Sequence, residues 1–217
     1  MGLKKKIYFV SGTGTDVGKS VATGTIAAIW RGRGERVVTQ KLVQTGCDGL
    51  SEDIALHRRI MGIGLLPEDL DGTTCPLRFT YPCSPHLAAR IDGRDVDLEL
   101  ADRCTQKLLE KYDTLLIEGA GGLMVPLNDT VTTLDYVRQR RLPLILVTTP
   151  QLGSINHTLL TIEACRNNGI EIAMLVYNLH PESSPEITED TRRFLSSYAA
   201  AKLPNCEFLE IPFREGL

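Results

Sequence analysis

The segment Gly12-Thr-Gly-Thr-Asp-Val-Gly-Lys-Ser20 has the residue types needed to hold a phosphate. It follows a short apolar run, Ile7-Tyr-Phe-Val10, and precedes a stretch where Ala22, Ile26, Ile29 and Trp30 recur at helical spacing. Backbone N–H groups of a glycine-rich turn can wrap a phosphate, and the helix behind it points its positive end the same way. Lys19 would add a point charge on the outer phosphates, and the Ser20 hydroxyl would ligate Mg²⁺. The common spacing places glycine at position 13, where this chain has Thr13, so the loop is a variant. Mg²⁺ takes hard oxygen ligands and keeps waters, and two acids stand where they could join Ser20. Glu118 ends an apolar run, Thr114-Leu-Leu-Ile117, and Gly119-Ala-Gly-Gly122 after it lets backbone and ligand approach closely. Asp53 reads equally as a further metal ligand or as a first-turn helix acid favoured by the helix dipole.

The elements that must position these groups alternate along the chain. Short strands, most of them apolar runs, are predicted at 7–10, 36–41, 114–117, 144–147, 172–177 and 208–211. Helices are predicted at 51–61 with Ser51 as N-cap, at 84–91, 98–111 and 188–197, and around Ile155, Leu159 and Ile162, ended by Gly169. Gly32 and Gly34 end the first helix. Continuous apolar strands alternating with helices predict an α/β fold: a mostly parallel sheet with helices on both faces. Ligands of such sheets bind at the carboxyl ends of the strands, where every motif above falls. The segment 67–85, with four prolines and no period, is expected to be an irregular insertion or long functional loop.

At 217 residues the chain fits a single domain, 1–217, with no repeat or linker that would split it. A net charge of −3 argues against a general nucleic-acid binder, and the basic run Lys4 to Lys6 reads as a solvated strand entry. No apolar run approaches the roughly 20 residues that span a bilayer, and no signal segment precedes the first strand, so no membrane association is expected. Cys47, Cys75, Cys83, Cys104, Cys165 and Cys206 form no C-x-x-C pair and read as free thiols of a cytoplasmic protein.

Taken jointly, Gly12 to Ser20, Lys41, Ser84-Pro-His86, Glu118-Gly-Ala-Gly-Gly122, Leu152-Gly-Ser-Ile-Asn-His157, Asn178 and Ile211-Pro212 resemble the dethiobiotin synthetase family, in order and over nearly the whole chain. The resemblance implies a P-loop NTPase fold and an ATP-dependent cyclo-ligase that joins 7,8-diaminononanoate and CO₂, giving dethiobiotin, ADP and phosphate in biotin biosynthesis. One amine takes up CO₂, ATP phosphorylates the carbamate, and the second amine closes the cyclic urea. Such chemistry needs positioning and charge neutralisation more than a protein nucleophile.

The resemblance also implies roles. Lys41 and Lys19 would be the catalytic lysines, flanking the carbamate and γ-phosphate oxygens. Ser20, Asp53 and Glu118 would hold Mg²⁺. ATP would lie along Asp16, Val17, Gly18, Lys19, Ser20 and Val21, with Asp53, Glu118, Gly119, Ala120 and Gly121 about the phosphates. Asn178 could pair with adenine's hydrogen-bonding edge, with Leu179, Pro212, Phe213 and Arg214 lining the base. Thr15, Asp16, Lys41 and Thr45 would contact the diamine, Asp16 through an ammonium group where the family more often has glutamate. Gly153, Ser154, Ile155 and Asn156 open a helix whose free N–H groups suit an anion. In the family this loop comes from the neighbouring subunit and holds the substrate carboxylate, which implies a homodimer with sites at the interface. Without the resemblance, Lys41 is a solvated strand-end lysine, 153–156 a helix start and Asn178 a turn residue. His86 and His157 are expected to be packed, hydrogen-bonded and non-catalytic. Ser20 replaces the commoner threonine, and the chain stops at Leu217, where relatives commonly carry a further segment over the nucleotide.

Two rivals share the fold. An amide-forming synthetase of the cobyrinate-diamide type would usually carry a glutamine-hydrolysing domain, for which this chain has no room. A nucleotide-switch ATPase of the partitioning type would be expected to show a second lysine early in the phosphate loop, or a basic surface or amphipathic tail. Thr13 and Gly14 stand in the loop instead.

Overall fold

The computed structural model describes residues 5–180 and 182–213. Six strands form one parallel sheet: β1 (Lys6–Gly12), β2 (Val37–Lys41), β5 (Thr114–Gly122), β6 (Leu144–Thr148), β7 (Ile172–Asn178) and β8 (Glu207–Ile211), in the order β2-β5-β1-β6-β7-β8. Helices cover both faces, so successive side chains of one strand enter different cores. Leu115 and Ile117 join one apolar cluster while Leu116 between them joins the other, and Leu144 and Leu146 are divided from Ile145 and Val147 in the same way. That two-sided burial is why these strands read as unbroken apolar runs.

On one face α1 (Lys19–Gly32) packs beside α2 (Glu52–Met61). Ser51 caps α2 by accepting from the Ile54 N–H at 3.1 Å, and Gly62, in the left-handed region at φ 65°, ends it. The remaining helices are α3 (Pro67–Leu70), α4 (Pro85–Ile91), α5 (Leu98–Lys111), α6 (Thr133–Gln139), α7 (Ser154–Asn167) and α8 (Pro185–Lys202). Proline occupies the first turn of α3, α4 and α8, where its missing N–H costs nothing.

The segment 67–85 is not the irregular loop that its prolines predict. It holds α3 and a strand, β4 (Leu77–Phe79), which pairs in parallel with β3 (Val43–Thr45) as a second, two-stranded sheet. These elements are three or four residues long, too short to carry a period. Helix α6 is also absent from the sequence-based expectation. It is seven residues long, and its start is fixed by a local capping box between Thr132 and Asp135.

Candidate active site at the carboxyl ends of β1, β2 and β5

The phosphate-loop residues Thr15, Asp16, Gly18, Lys19, Ser20 and Val21 line a cleft of about 780 Å³ together with Lys41, Thr45, Asp53, Glu118, Ala120 and Gly121. Pro82, Cys83, Ser84 and Pro85 close one side, so the segment before α4 belongs to the wall. The loop carries backbone strain: Asp16 is a non-glycine residue at φ 57°. Gly18 has φ 81°, and a Cβ there would lie 2.0 Å from Asn178 Nδ2, so glycine is required twice over.

Sheet register brings the charges together. Lys41 and Glu118 are partnered residues on neighbouring strands β2 and β5. Beyond Glu118, β5 bulges: Val10 faces Glu118 and Gly12 faces Gly122, so β5 advances four residues while β1 advances two. The Lys41 ammonium bridges two carboxylates, at 2.7 Å from Glu118 Oε1 and 2.5 Å from Asp53 Oδ2, and donates to the Gly119 carbonyl at 3.1 Å. Ser20 Oγ donates to the same Glu118 oxygen at 2.8 Å. Lys19 folds back onto its own loop and donates to the Gly14 carbonyl at 2.8 Å.

These contacts set the protonation states. Burial lowers the affinity of Lys41 for its proton, but the Glu118 and Asp53 carboxylates outweigh it and push the pKa up to about 12. Burial likewise opposes the charge of Glu118, and Lys41 together with a hydrogen bond from His57 reverses this, holding the carboxyl well below its usual range. For Lys19 burial prevails, reinforced by the Lys41 charge and only partly offset by Glu118, so its pKa is lowered.

Several expected residues stand elsewhere. Asn178 is only 1% exposed, and both protons of its amide are spent, on the Val17 carbonyl at 3.1 Å and the His180 carbonyl at 3.0 Å. It pins the phosphate loop through its N–H groups, and these bonds leave its Oδ1 acceptor unengaged. Val17 is buried in the core beside it, and Leu179 packs partly buried against the opposite cluster. Pro212 is exposed and Phe213 stacks on His180 at 5.3 Å between centroids, with His180 lining the cleft. Arg214 lies outside the described residues. Gly153, Ser154, Ile155 and Asn156 begin α7 and do not line this cleft; Gly153 and Asn156 are exposed there. The two histidines expected to be packed and hydrogen-bonded are not. His157 is exposed at the first turn of α7, and His86 Nδ1 is buried with no hydrogen-bond partner among the described residues.

The sequence reading missed the layer behind the cleft. His57, fully buried, meets Glu118 Oε2 from Nε2 at 2.7 Å and Thr39 Oγ1 from Nδ1 at 3.0 Å. Next to it Arg58 pairs with Asp69 through two bonds, at 2.9 and 2.7 Å, and donates to Thr39 Oγ1 at 2.8 Å. One signal was available: Asp53 and His57 stand four apart on α2, hence on one face of it.

The residues present fit a divalent cation. A hydroxyl and two carboxylates converge, all hard oxygens, and the Lys41 ammonium already stands between the carboxylates as a positive charge. Mg²⁺ bound with phosphates characteristically uses few protein ligands of this kind.

Comparison with known proteins gives the family and the fold. A family profile described as "AAA domain" (AAA_26) matches residues 6–210. The chain is 47% identical over 203 residues to ATP-dependent dethiobiotin synthetase BioD 2 of Pasteurella multocida, covering 94% of this chain and 95% of the relative. It is 52% identical over 177 residues to the protein of the same name from Haemophilus influenzae, covering 82% and 93%. Among solved structures, a protein described as a plasmid partition protein of Borrelia burgdorferi, bound to AMPPNP, aligns with a TM-score of 0.53 at 14% identity, covering 98% of this chain and 88% of that one. At that identity the likeness is one of fold. The similarity to named synthetases over almost the full length of both chains places this protein in the ATP-dependent dethiobiotin synthetase family.

Proposed function

We propose that this protein closes the cyclic urea of dethiobiotin from 7,8-diaminononanoate, CO₂ and ATP, releasing ADP and phosphate. The observation that carries the reading is the cluster of Lys41, Glu118, Asp53 and Ser20 at the end of a phosphate loop, in a chain of this family. The amine that adds CO₂ loses a proton and becomes a carbamate. A carbamate oxygen takes the γ-phosphoryl group and ADP leaves. The second amine then attacks the carbonyl, phosphate leaves, and that nitrogen gives up its proton.

This chain's residues position and neutralise. Thr15, Asp16 and Thr45 lie along the cleft wall on the diamine side, Asp16 with a carboxylate for an ammonium group. Lys19, released from the Gly14 carbonyl, reaches the outer phosphates. Lys41 stays protonated and offers its charge to the carbamate and the moving phosphoryl group. Ser20, Glu118 and Asp53 would hold Mg²⁺, which would neutralise charge between the phosphates. Val17 and Gly119 support the phosphate end from behind the cleft wall, Asn178 offers its amide oxygen to the base, and Pro212 and Phe213 lie on the base side.

The protein acts as one domain, and the carboxylate end of the diamine is held by Gly153, Ser154, Ile155 and Asn156 of a second copy in a homodimer. The exposure of that helix start away from its own cleft supports this, as does apolar surface beside it at Leu152, 92% exposed, and Leu160, 62% exposed. All six cysteines are free, which supports a cytoplasmic location, and among the described residues no helix is long and apolar enough to cross a membrane.

Phosphate release from ATP tests the reaction. Release that requires both diamine and bicarbonate, with the cyclic urea identified by mass, is the expected result; release indifferent to the diamine overturns it. Sedimentation should show a dimer, and a fully active monomer would remove the shared site.

A further inference from the structure

Glu118 shows two different oxygens to its surroundings. Oε1 faces the cleft, shared by Lys41 and Ser20, while Oε2 faces inward to His57. The terminal torsion of a glutamate is broad and nearly free, so the cleft contacts alone do not fix the plane of the carboxylate. They are also the contacts that must change when ligand binds. The inward bond does not face ligand, because both His57 and Glu118 are fully buried on that side.

His57 is itself held. The Glu118 carboxylate only accepts, so the imidazole Nε2 carries a proton and donates it to Oε2, while Nδ1 is held at 3.0 Å by Thr39 Oγ1, itself fixed as an acceptor from Arg58 Nη1. Arg58 is fixed by the Asp69 carboxylate, which also accepts from Thr74 and from the Leu66 N–H. A continuous line of paired groups thus runs from the cleft to α3 and the turn after it.

We propose that His57 is a positioning residue: its hydrogen bond to Oε2 of Glu118, anchored through Thr39, holds the carboxylate so that Oε1 is presented to the divalent cation and to Lys41. This rests on the assignment of Glu118 to the cation in the proposed reaction. Partners of this kind behind metal ligands typically change metal affinity about 10–100-fold when removed.

The two amide replacements separate positioning from packing. Glutamine places its amide near Nε2 of the imidazole and can still donate to Glu118. Asparagine places its amide near Nδ1, keeps Thr39 within reach and falls short of Glu118. The measurement is Mn²⁺ affinity by electron paramagnetic resonance, with a non-hydrolysable ATP analogue bound, beside the Mg²⁺ dependence of turnover. For His57→Asn, Mn²⁺ affinity should fall about tenfold or more, with the same rise in half-saturating Mg²⁺ and an unchanged KM for the diamine. His57→Gln, which keeps the donor, should stay within about threefold of the parent, below the range for losing such a partner. Circular dichroism and thermal melts confirm that both variants are folded. Should His57→Asn not fold, Thr39→Val carries the test, with a smaller loss of the same sign. Parent-like Mn²⁺ affinity in His57→Asn, or equal losses in both amide variants, overturns the proposal. Glu118→Gln distinguishes the underlying reading: parent-like Mn²⁺ affinity there removes Glu118 from the cation, and the role of His57 falls with it.

Discussion

Two buried charge clusters stand side by side on α2, and they are finished to different degrees. Around Arg58, the Asp69 carboxylate meets the guanidinium through both oxygens, and Thr39, Thr74 and the Leu66 N–H complete the set. No ligand can enter there, since Arg58 is 1% exposed and Asp69 4%. Around Lys41 the charges are equally close, but Asp53 keeps 26% of its side chain open to the cleft and Lys19 has only a carbonyl of its own loop. The first cluster is complete by itself. In the second, protein groups occupy places that phosphate and cation would take, and each can exchange its partner. Closeness of charge is common to both; an open side distinguishes the cluster proposed for chemistry from the closed one.

The largest expected effect breaks the open cluster chemically. Lys41→Gln keeps a donor toward Glu118 and drops the charge. Turnover should fall about a thousandfold, the upper range for removing one transition-state donor, while calorimetry shows affinity for an ATP analogue changed little. Normal turnover would remove Lys41 from the mechanism. The closed cluster should fail differently. Arg58→Met strands the buried Asp69 and should cost about 3–5 kcal/mol of stability in urea unfolding. The double variant Arg58→Met, Asp69→Leu should recover part of that, because the charge is gone although Thr74 and the Leu66 N–H lose their acceptor.

Acid should weaken both clusters with the same sign. Burial opposes the charge of Glu118 and of Asp69, but their cationic partners and hydrogen bonds outweigh it, leaving both below their ordinary values of 4.5 and 3.8. The unfolded chain therefore takes up these protons first as pH falls. Stability is full above about pH 4.5 and declines as the folded-state values are approached from above. Urea midpoints between pH 6 and 3 should fall less steeply in the double variant, which lacks the Asp69 contribution. The smallest effect reaches both clusters together. Ser51→Ala removes the cap of the helix that carries Asp53, His57 and Arg58, and should cost about 1 kcal/mol in the same assay.

The sequence was legible where one local pattern decides the outcome. Apolar runs marked most strands of the main sheet, and the spacing from Gly12 to Ser20 marked the loop. It was illegible where elements are short or partners distant. Strands β3 and β4 are three residues each and exist only because they pair with one another. His57 and Glu118 are 61 residues apart, so their bond has no trace in local spacing. Asn178 illustrates a third cause. Its type suits a base edge, but only the fold reveals that an N–H of its amide holds the phosphate loop through a carbonyl 161 residues away, so that its oxygen is the part left unengaged.

The pairing of Lys41 with Glu118 across β2 and β5 has a consequence for how this chemistry can be altered. Their separation is inherited from a hydrogen-bond ladder, and a ladder changes only in whole steps. A slip of one residue would turn Lys41 to the opposite side of the sheet; no intermediate spacing exists. Loops around the cleft can lengthen or shorten without moving these two charges relative to each other. Fine adjustment is left to side-chain length, which makes arginine at position 41 and aspartate at position 118 the steps by which an engineer could tune the distance.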